Sequence, residues 1–201
     1  MSLLLNKIVS GIAQILLFAA IPFIWWCITA RKKQSFFKWI GLKKISNIKT
    51  VLLWIVGVSC AFTLFGVLTL YMIRGVETAT SEFAGMGARA ILPILVYAIF
   101  NTALSEELLF RGFLLKRIEN KFGFVAGNAV QAVLFGLMHG VMFFSMIGVM
   151  KATLISLFIG MLAWFMGYIN ERKAGGSIYP SWIIHAVSNI FSGICSAFLI
   201  L

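Results

Sequence analysis

The chain is short of acidic residues and of histidine. It has no aspartate, so its six acidic residues are all glutamate, and it has only two histidines, three cysteines and three prolines. The cysteines lie in apolar runs without the spacing of a metal site, which indicates packing residues. No polar stretch is long enough to form a separate soluble domain.

Apolar residues dominate what is present. They make up 61% of the chain, and the mean hydropathy is +1.01, whereas soluble domains are about 45–50% apolar. A spanning helix needs about 20 apolar residues. We therefore predict an all-α polytopic transmembrane helical bundle of about six spans. They cover residues 8–30, 50–73, 90–110, 122–147, 148–170 and 181–201, with Gly148 and Lys151 marking the turn between the fourth and fifth.

The net charge of +11 is distributed unevenly along the chain. Segments 31–49, 111–121 and 171–180 fall on one side of the predicted bundle and hold 13 of the 17 Lys and Arg residues. The positive-inside rule places that side in the cytoplasm and segment 74–89 outside. Topology thus explains the charge, and we expect membrane lipids as partners and no nucleic acid. The predicted location is the cell membrane, with multiple spans.

The ionisable residues inside the apolar runs are the main functional signal. Glu106 and Glu107 are adjacent, and both histidines, His139 and His185, also lie in apolar runs. An ionisable group inside a membrane costs several kcal/mol unless it is paired, which favours a functional reading. Two antiparallel helices turning near 122–123 would bring the glutamates and His139 to the same depth.

Local spacing assigns partners within helices. Glu107 and Arg111 have the i, i+4 order of a favourable helical ion pair, which leaves Glu106 for a different task. A structural ion pair alone would explain Glu107 but not Glu106. Phe135 lies one turn from His139 on the same face and is predicted to form a wall of the pocket that binds substrate.

His185 and Asn189 also share a helix face at i, i+4. The Asn189 amide is predicted to stabilise an oxyanion beside a reacting carbonyl. Hydrogen bonding between helices is the competing interpretation of this pair.

Two carboxylates and two imidazoles on three helices suit the activation of water for amide hydrolysis. The Gly-x-Ser-x-Gly and His-Glu-x-x-His signatures of other hydrolases are missing from the chain.

Three ordered motifs resemble those of a known family. Residues 106–111 match Glu-Glu-x-x-x-Arg, residues 135–139 match Phe-x-x-x-His, and residues 185–189 match His-x-x-x-Asn. In this order they are similar to the CPBP intramembrane proteases, which include type II CAAX prenyl endopeptidases and bacteriocin-processing or immunity proteins. The resemblance covers about residues 90–195, so we divide the chain into two N-terminal spans with a basic loop, 1–89, and a protease core, 90–201.

The resemblance implies an intramembrane endopeptidase that cleaves a membrane-associated peptide or lipidated peptide and opens to the cytoplasm. It implies that Glu106 activates water, that Glu107 with Arg111 supports it, and that the two histidines complete the site. Asn189 becomes the oxyanion partner. The family has been described both with a divalent metal such as zinc and without one. The metal set would be Glu106, His139 and His185.

Two other functions remain open from the sequence. One is a non-proteolytic bacteriocin immunity or peptide-binding membrane protein. The other is a transporter that uses the carboxylates as a proton relay, which the lack of an internal repeat disfavours. A prenylated C-terminal tail, a peptide pheromone and a bacteriocin precursor all remain candidate substrates.

Overall fold

The computed structural model describes residues 2–200, and within them the chain is helical with no strand. Helix α1 covers Leu3–Thr29, α2 Phe36–Ile40, α3 Ile48–Met72 and α4 Gly87–Phe122. The helical stretch Phe124–Lys173 is broken at Gly148 and forms α5 (124–147) and α6 (149–173). Helix α7 covers Tyr179–Ala197. The predicted all-α bundle is confirmed.

Most of these helices are suited to a membrane. Within residues 2–200, the stretches long and apolar enough to cross it are Leu3–Thr29, Ile48–Met72, Gly87–Phe122 and Phe124–Lys173. The last has 50 residues and makes two passes because of its break. Helix α7 has 19 residues but is less apolar, since it carries the polar side chains of the third motif. The chain is a multi-pass membrane protein.

Helices α5 and α6 form an antiparallel hairpin about Gly148. This glycine has φ 77° and ψ 168°, a conformation that residues with a Cβ rarely adopt, and it breaks the helix where the sequence predicts the turn. Asn128 Nδ2 donates to the Trp164 carbonyl at 3.0 Å, and Gln131 Nε2 donates to the Ala163 carbonyl at 2.9 Å. These bonds hold the two helices side by side.

Helices α4 and α5 form a second antiparallel hairpin, which turns at Gly123 (φ 84°). The aromatic rings of Phe110 and Phe135 meet edge to face with centroids 5.0 Å apart. The register deduced from the spacing about residues 122–123 is therefore the register of the structure.

Segment 111–121 is helical and belongs to α4, which continues unbroken to Phe122. The Arg111 side chain within this segment is fully buried and paired with Glu107. A paired cation inside the bundle does not need the aqueous interface.

The three basic segments of the sequence meet at one end of the bundle, which we call the basic end. Ser177 Oγ donates to the Lys43 carbonyl at 2.7 Å, which joins the loop before α7 to the loop before α3. Lys116, near the end of α4, forms an ion pair with Glu171 at the end of α6. At the opposite end, Lys7 pairs with Glu82.

Candidate active site

The two adjacent glutamates lie in an unusual stretch of α4. Residues Ser105–Glu107 are α-helical, but the flanking segments Tyr97–Leu104 and Leu108–Leu115 are π-helical. Such wider turns occur frequently at functional sites. The side chain of Glu107 is 0% exposed and that of Glu106 is 12% exposed. Both carboxylates are therefore enclosed by the bundle.

Glu107 contacts a guanidinium and an imidazole through one oxygen. Its Oε1 lies 3.0 Å from Arg111 Nη1 and 3.0 Å from His185 Nδ1. The contact with Arg111 is the ion pair that the helical spacing predicts. The contact with His185 was not predicted from the sequence. Because a carboxylate can only accept, His185 Nδ1 carries the hydrogen and the imidazole Nε2 points away from Glu107.

Glu106 lies on the other side of the same imidazole. Its Oε2 is 3.8 Å from His185 Nε2, too far for a direct hydrogen bond. That oxygen is buried and has no hydrogen-bond partner among residues 2–200. Glu106 thus lies outside the ion pair that Glu107 forms with Arg111.

His139 is oriented by its own helix. Its Nδ1 lies 2.8 Å from the Phe135 carbonyl, which can only accept, so this nitrogen carries the hydrogen and Nε2 is left free. The Phe135 ring is 4.6 Å from the His139 ring and 5.7 Å from the His185 ring, centroid to centroid. Phe135 thus lies against both histidines.

Arg111 fills the space behind Phe135. Its guanidinium carbon lies 4.1 Å from the Phe135 ring centroid, and Nη2 is 3.7 Å from Met166 Sδ. The stacking and the Glu107 contact together compensate a buried cation. Within the described residues, Arg111 Nε has no hydrogen-bond partner.

A cavity of about 200 Å³ opens beside the two histidines, between α3, α5, α6 and α7. Both His139 and His185 line it, as does Asn189. Glu106 is not among the described lining residues. The rest of the lining is mostly apolar and includes five aromatic residues, Phe62, Phe65, Phe135, Phe158 and Phe191. The cavity extends from His185 along α7 to Ser192, away from the basic end.

Asn189 shares the cavity with His185, as their i, i+4 spacing predicts. Its Nδ2 donates to Thr102 Oγ1 at 2.6 Å. An amide nitrogen has two hydrogens, so one remains for another acceptor. Thr102 holds the amide in place and is a residue that the sequence analysis missed.

Helix α3 also contributes to the site, although it precedes all three motifs. Phe62 and Phe65 form one wall of the cavity, and Phe65 packs on Phe158 of α6 with ring centroids 5.2 Å apart. Their i, i+3 spacing is common in any buried or lipid-facing helix, so it carried no signal for a site. Met166, which also lines the cavity, was missed because a methionine in an apolar helix carries no signal for a site either.

The residues as arranged do not form a metal site. Within residues 2–200, no group of three His, Cys, Asp or Glu side chains is placed to hold a metal ion. This finding includes the candidate set Glu106, His139 and His185.

The family model for Rce1-like type II CAAX prenyl endopeptidases matches residues 88–191, just over half of the chain. The chain belongs to this family. The matched region of this Rce1-like protein contains all three motifs and ends two residues after Asn189. The resemblance deduced from the motifs is confirmed, and with it the general class of intramembrane CAAX-type protease. No curated protein and no solved structure matches the chain.

Proposed function

We propose that this protein is an intramembrane endopeptidase in which Glu106 activates the water that hydrolyses a peptide bond. The observation that supports this most directly is the buried, partnerless Oε2 of Glu106 at 3.8 Å from His185 Nε2. A water at about 2.8 Å from both atoms bridges such a separation. It would donate one hydrogen to each, since the two atoms are acceptors.

The bridging water is then poised for general-base catalysis. Glu106 takes one proton as the water oxygen attacks the scissile carbonyl carbon. His185 accepts the second hydrogen of the water as a hydrogen bond, and its orientation is held by Glu107. When the tetrahedral intermediate collapses, the protonated Glu106 returns the proton to the leaving amine. Water and amide are consumed, and a carboxylic acid and an amine are formed.

The negative charge on the intermediate requires donors on the cavity side. Asn189 has one free N–H after its bond to Thr102, and it faces the same cavity as the histidines. Donors fixed before the reaction stabilise an oxyanion without reorganisation. We assign this role to Asn189, and we assign to His139 Nε2, which lines the same cavity, a hydrogen bond accepted from the substrate.

The aromatic lining supports a membrane-associated peptide or lipidated peptide as the substrate, because an apolar chain replaces water there at no polar cost. Access from the cytoplasm follows from the gathering of the basic segments at one end of the bundle. His185 lies six residues after the first residue of α7 at that end, or about 9 Å at 1.5 Å per residue. That distance is short enough for cytoplasmic water to reach the glutamates.

The test is cleavage of a farnesylated C-a-a-X peptide, and of the same peptide without the lipid, by purified protein in liposomes. Glu106→Gln keeps the volume of the side chain but removes its basicity, so the rate should fall by about 10² or more. Glu77→Gln, at an exposed site in the loop before α4, is the control and should retain activity. An unchanged rate in Glu106→Gln would refute the role of Glu106.

The same variant distinguishes the proteolytic function from the immunity function that the motifs also allow. A pure binding protein tolerates an isosteric amide at position 106, whereas a protease does not. If Glu106→Gln still protects cells fully against a bacteriocin, the protein acts in immunity without proteolysis.

A further inference from the structure

Asn170 is a fully buried polar residue that none of the three motifs includes. It lies in the π-helical end of α6, Ile169–Lys173, and is 0% exposed, as is Ser181. Its Oδ1 accepts from the Ser181 backbone N–H at 3.2 Å, and its Nδ2 donates to Ser181 Oγ at 2.7 Å. Since an N–H can only donate, the atom facing it is the carbonyl oxygen, which determines the orientation of the amide.

These two bonds cap the start of α7 from a different helix. The residue before α7, Ile178, makes no side-chain capping bond, and Pro180 has no N–H. Ser181 is the third residue of the helix, where the backbone N–H has no partner within the helix. Side chains normally satisfy such donors from the capping position itself. Here Asn170 supplies the acceptor.

The connecting loop is tied to the same residue. The Gly176 N–H donates to the backbone carbonyl of Asn170 at 2.7 Å. Lys116 Nζ donates to the backbone carbonyl of Gly176 at 2.9 Å. The first turn of α7 is thus attached to the end of α6 through Ser181, and the loop before it is attached to α4. This arrangement restricts sliding of α7 along its axis.

The axial position of α7 determines the chemistry of the site. Ser181 and His185 are four residues apart and lie on one face of the helix. His185 Nδ1 lies 3.0 Å from Glu107, and its Nε2 lies 3.8 Å from Glu106. Both distances depend on the position of α7 along its axis. We propose that Asn170 is a positioning residue that sets the depth of His185 and Asn189 against the glutamates of α4.

This inference rests on the proposed function and is tested beside it. Asn170→Leu keeps the branched shape and the number of heavy atoms of the side chain but removes both bonds to Ser181. We expect kcat on the farnesylated peptide to fall by about 10–100-fold, the scale of a catalytic group displaced by on the order of 1 Å. KM should change by less than about twofold, because the aromatic cavity is untouched. Amide hydrogen exchange should accelerate across 179–186.

Two further variants separate positioning from packing. Asn170→Asp keeps an acceptor for the Ser181 N–H and can also accept from its hydroxyl, so most of kcat should return. Asn128→Leu removes an equally buried asparagine, which bonds to the Trp164 carbonyl and to Gln131. It should leave exchange at 179–186 unchanged and should not reproduce the selective loss of kcat.

The proposal is overturned if Asn170→Leu keeps the wild-type kcat, if Asn170→Asp is as impaired as Asn170→Leu, or if Asn128→Leu gives the same pattern. If Asn170→Leu is not recovered folded, Asn170→Ser decides, since its shorter side chain cannot span both bonds and a wild-type kcat would overturn the proposal. Activity retained by Glu106→Gln refutes the proposed function instead. In that case the capping role of Asn170 is tested by hydrogen exchange alone, and unchanged exchange at 179–186 in Asn170→Leu would refute it.

Discussion

His185 is held by Glu107 and not by Glu106. Its Nδ1 lies 3.0 Å from Glu107 Oε1, whereas its Nε2 lies 3.8 Å from Glu106 Oε2. The imidazole therefore separates two adjacent carboxylates that have different partners. Glu107 contacts a cation and an imidazole, whereas Glu106 forms no ion pair with a Lys or Arg among residues 2–200. This division gives the two glutamates unequal roles.

Glu107→Gln should lose stability as well as activity. It removes the charge that compensates the fully buried Arg111, and breaking one partner of a buried pair costs about 3–5 kcal/mol. Chemical denaturation in detergent micelles measures the loss. The double variant Glu107→Gln with Arg111→Met should be less destabilised than the sum of the two single variants, because no unpaired charge is left. Additive effects would contradict the coupling.

Asn189→Ala should slow turnover by about 10²–10³-fold if its amide stabilises the oxyanion. Thr102→Val is the matched variant, since it removes the bond that holds the amide but keeps the amide itself. It should reduce kcat less than Asn189→Ala, with KM little changed in both. Steady-state kinetics on the farnesylated peptide give both constants. A normal kcat in Asn189→Ala would assign the oxyanion to another donor.

The orientation in the membrane is open to direct labelling. In a background without Cys27, Cys60 and Cys195, single cysteines at Ser46 and at Glu77 report on opposite ends of the bundle. We expect an impermeant maleimide to label position 77 in intact cells and position 46 only after permeabilisation. Labelling of position 46 from outside would reverse the topology and would place the basic end outside the cell.

Gly136→Ala should destabilise the hairpin of α5 and α6. A Cβ on Gly136 would lie 2.3 Å from the Ser156 carbonyl oxygen and 2.9 Å from the Gly160 nitrogen, and backbone cannot move aside as a side chain does. We expect a loss of about 1–3 kcal/mol. Gly57→Ala is the control, because a Cβ there meets no atom of residues 2–200 within 4 Å. That variant should gain about 0.5–1 kcal/mol from helix propensity.

The sequence alone was sufficient for relationships within one helix or one hairpin. The pairing of Glu107 with Arg111 and the shared face of His185 and Asn189 depend on a rise of about 1.5 Å and a rotation of about 100° per residue. Those values are the same in any helix. The common depth of the glutamates and His139 followed from the short turn at Gly123 for the same reason.

Only the tertiary structure decided which residues meet across helices that are distant in sequence. The contact of His185 with Glu107, the aromatic wall from α3, the bond of Asn189 to Thr102 and the cap from Asn170 depend on how each helix is rotated about its axis and how far it slides. Packing of many side chains sets those two quantities together. The spacing of residues along the chain does not determine the rotation or the axial position of a helix. The same reason explains why the full burial of Arg111 against Phe135 was not predicted from the sequence.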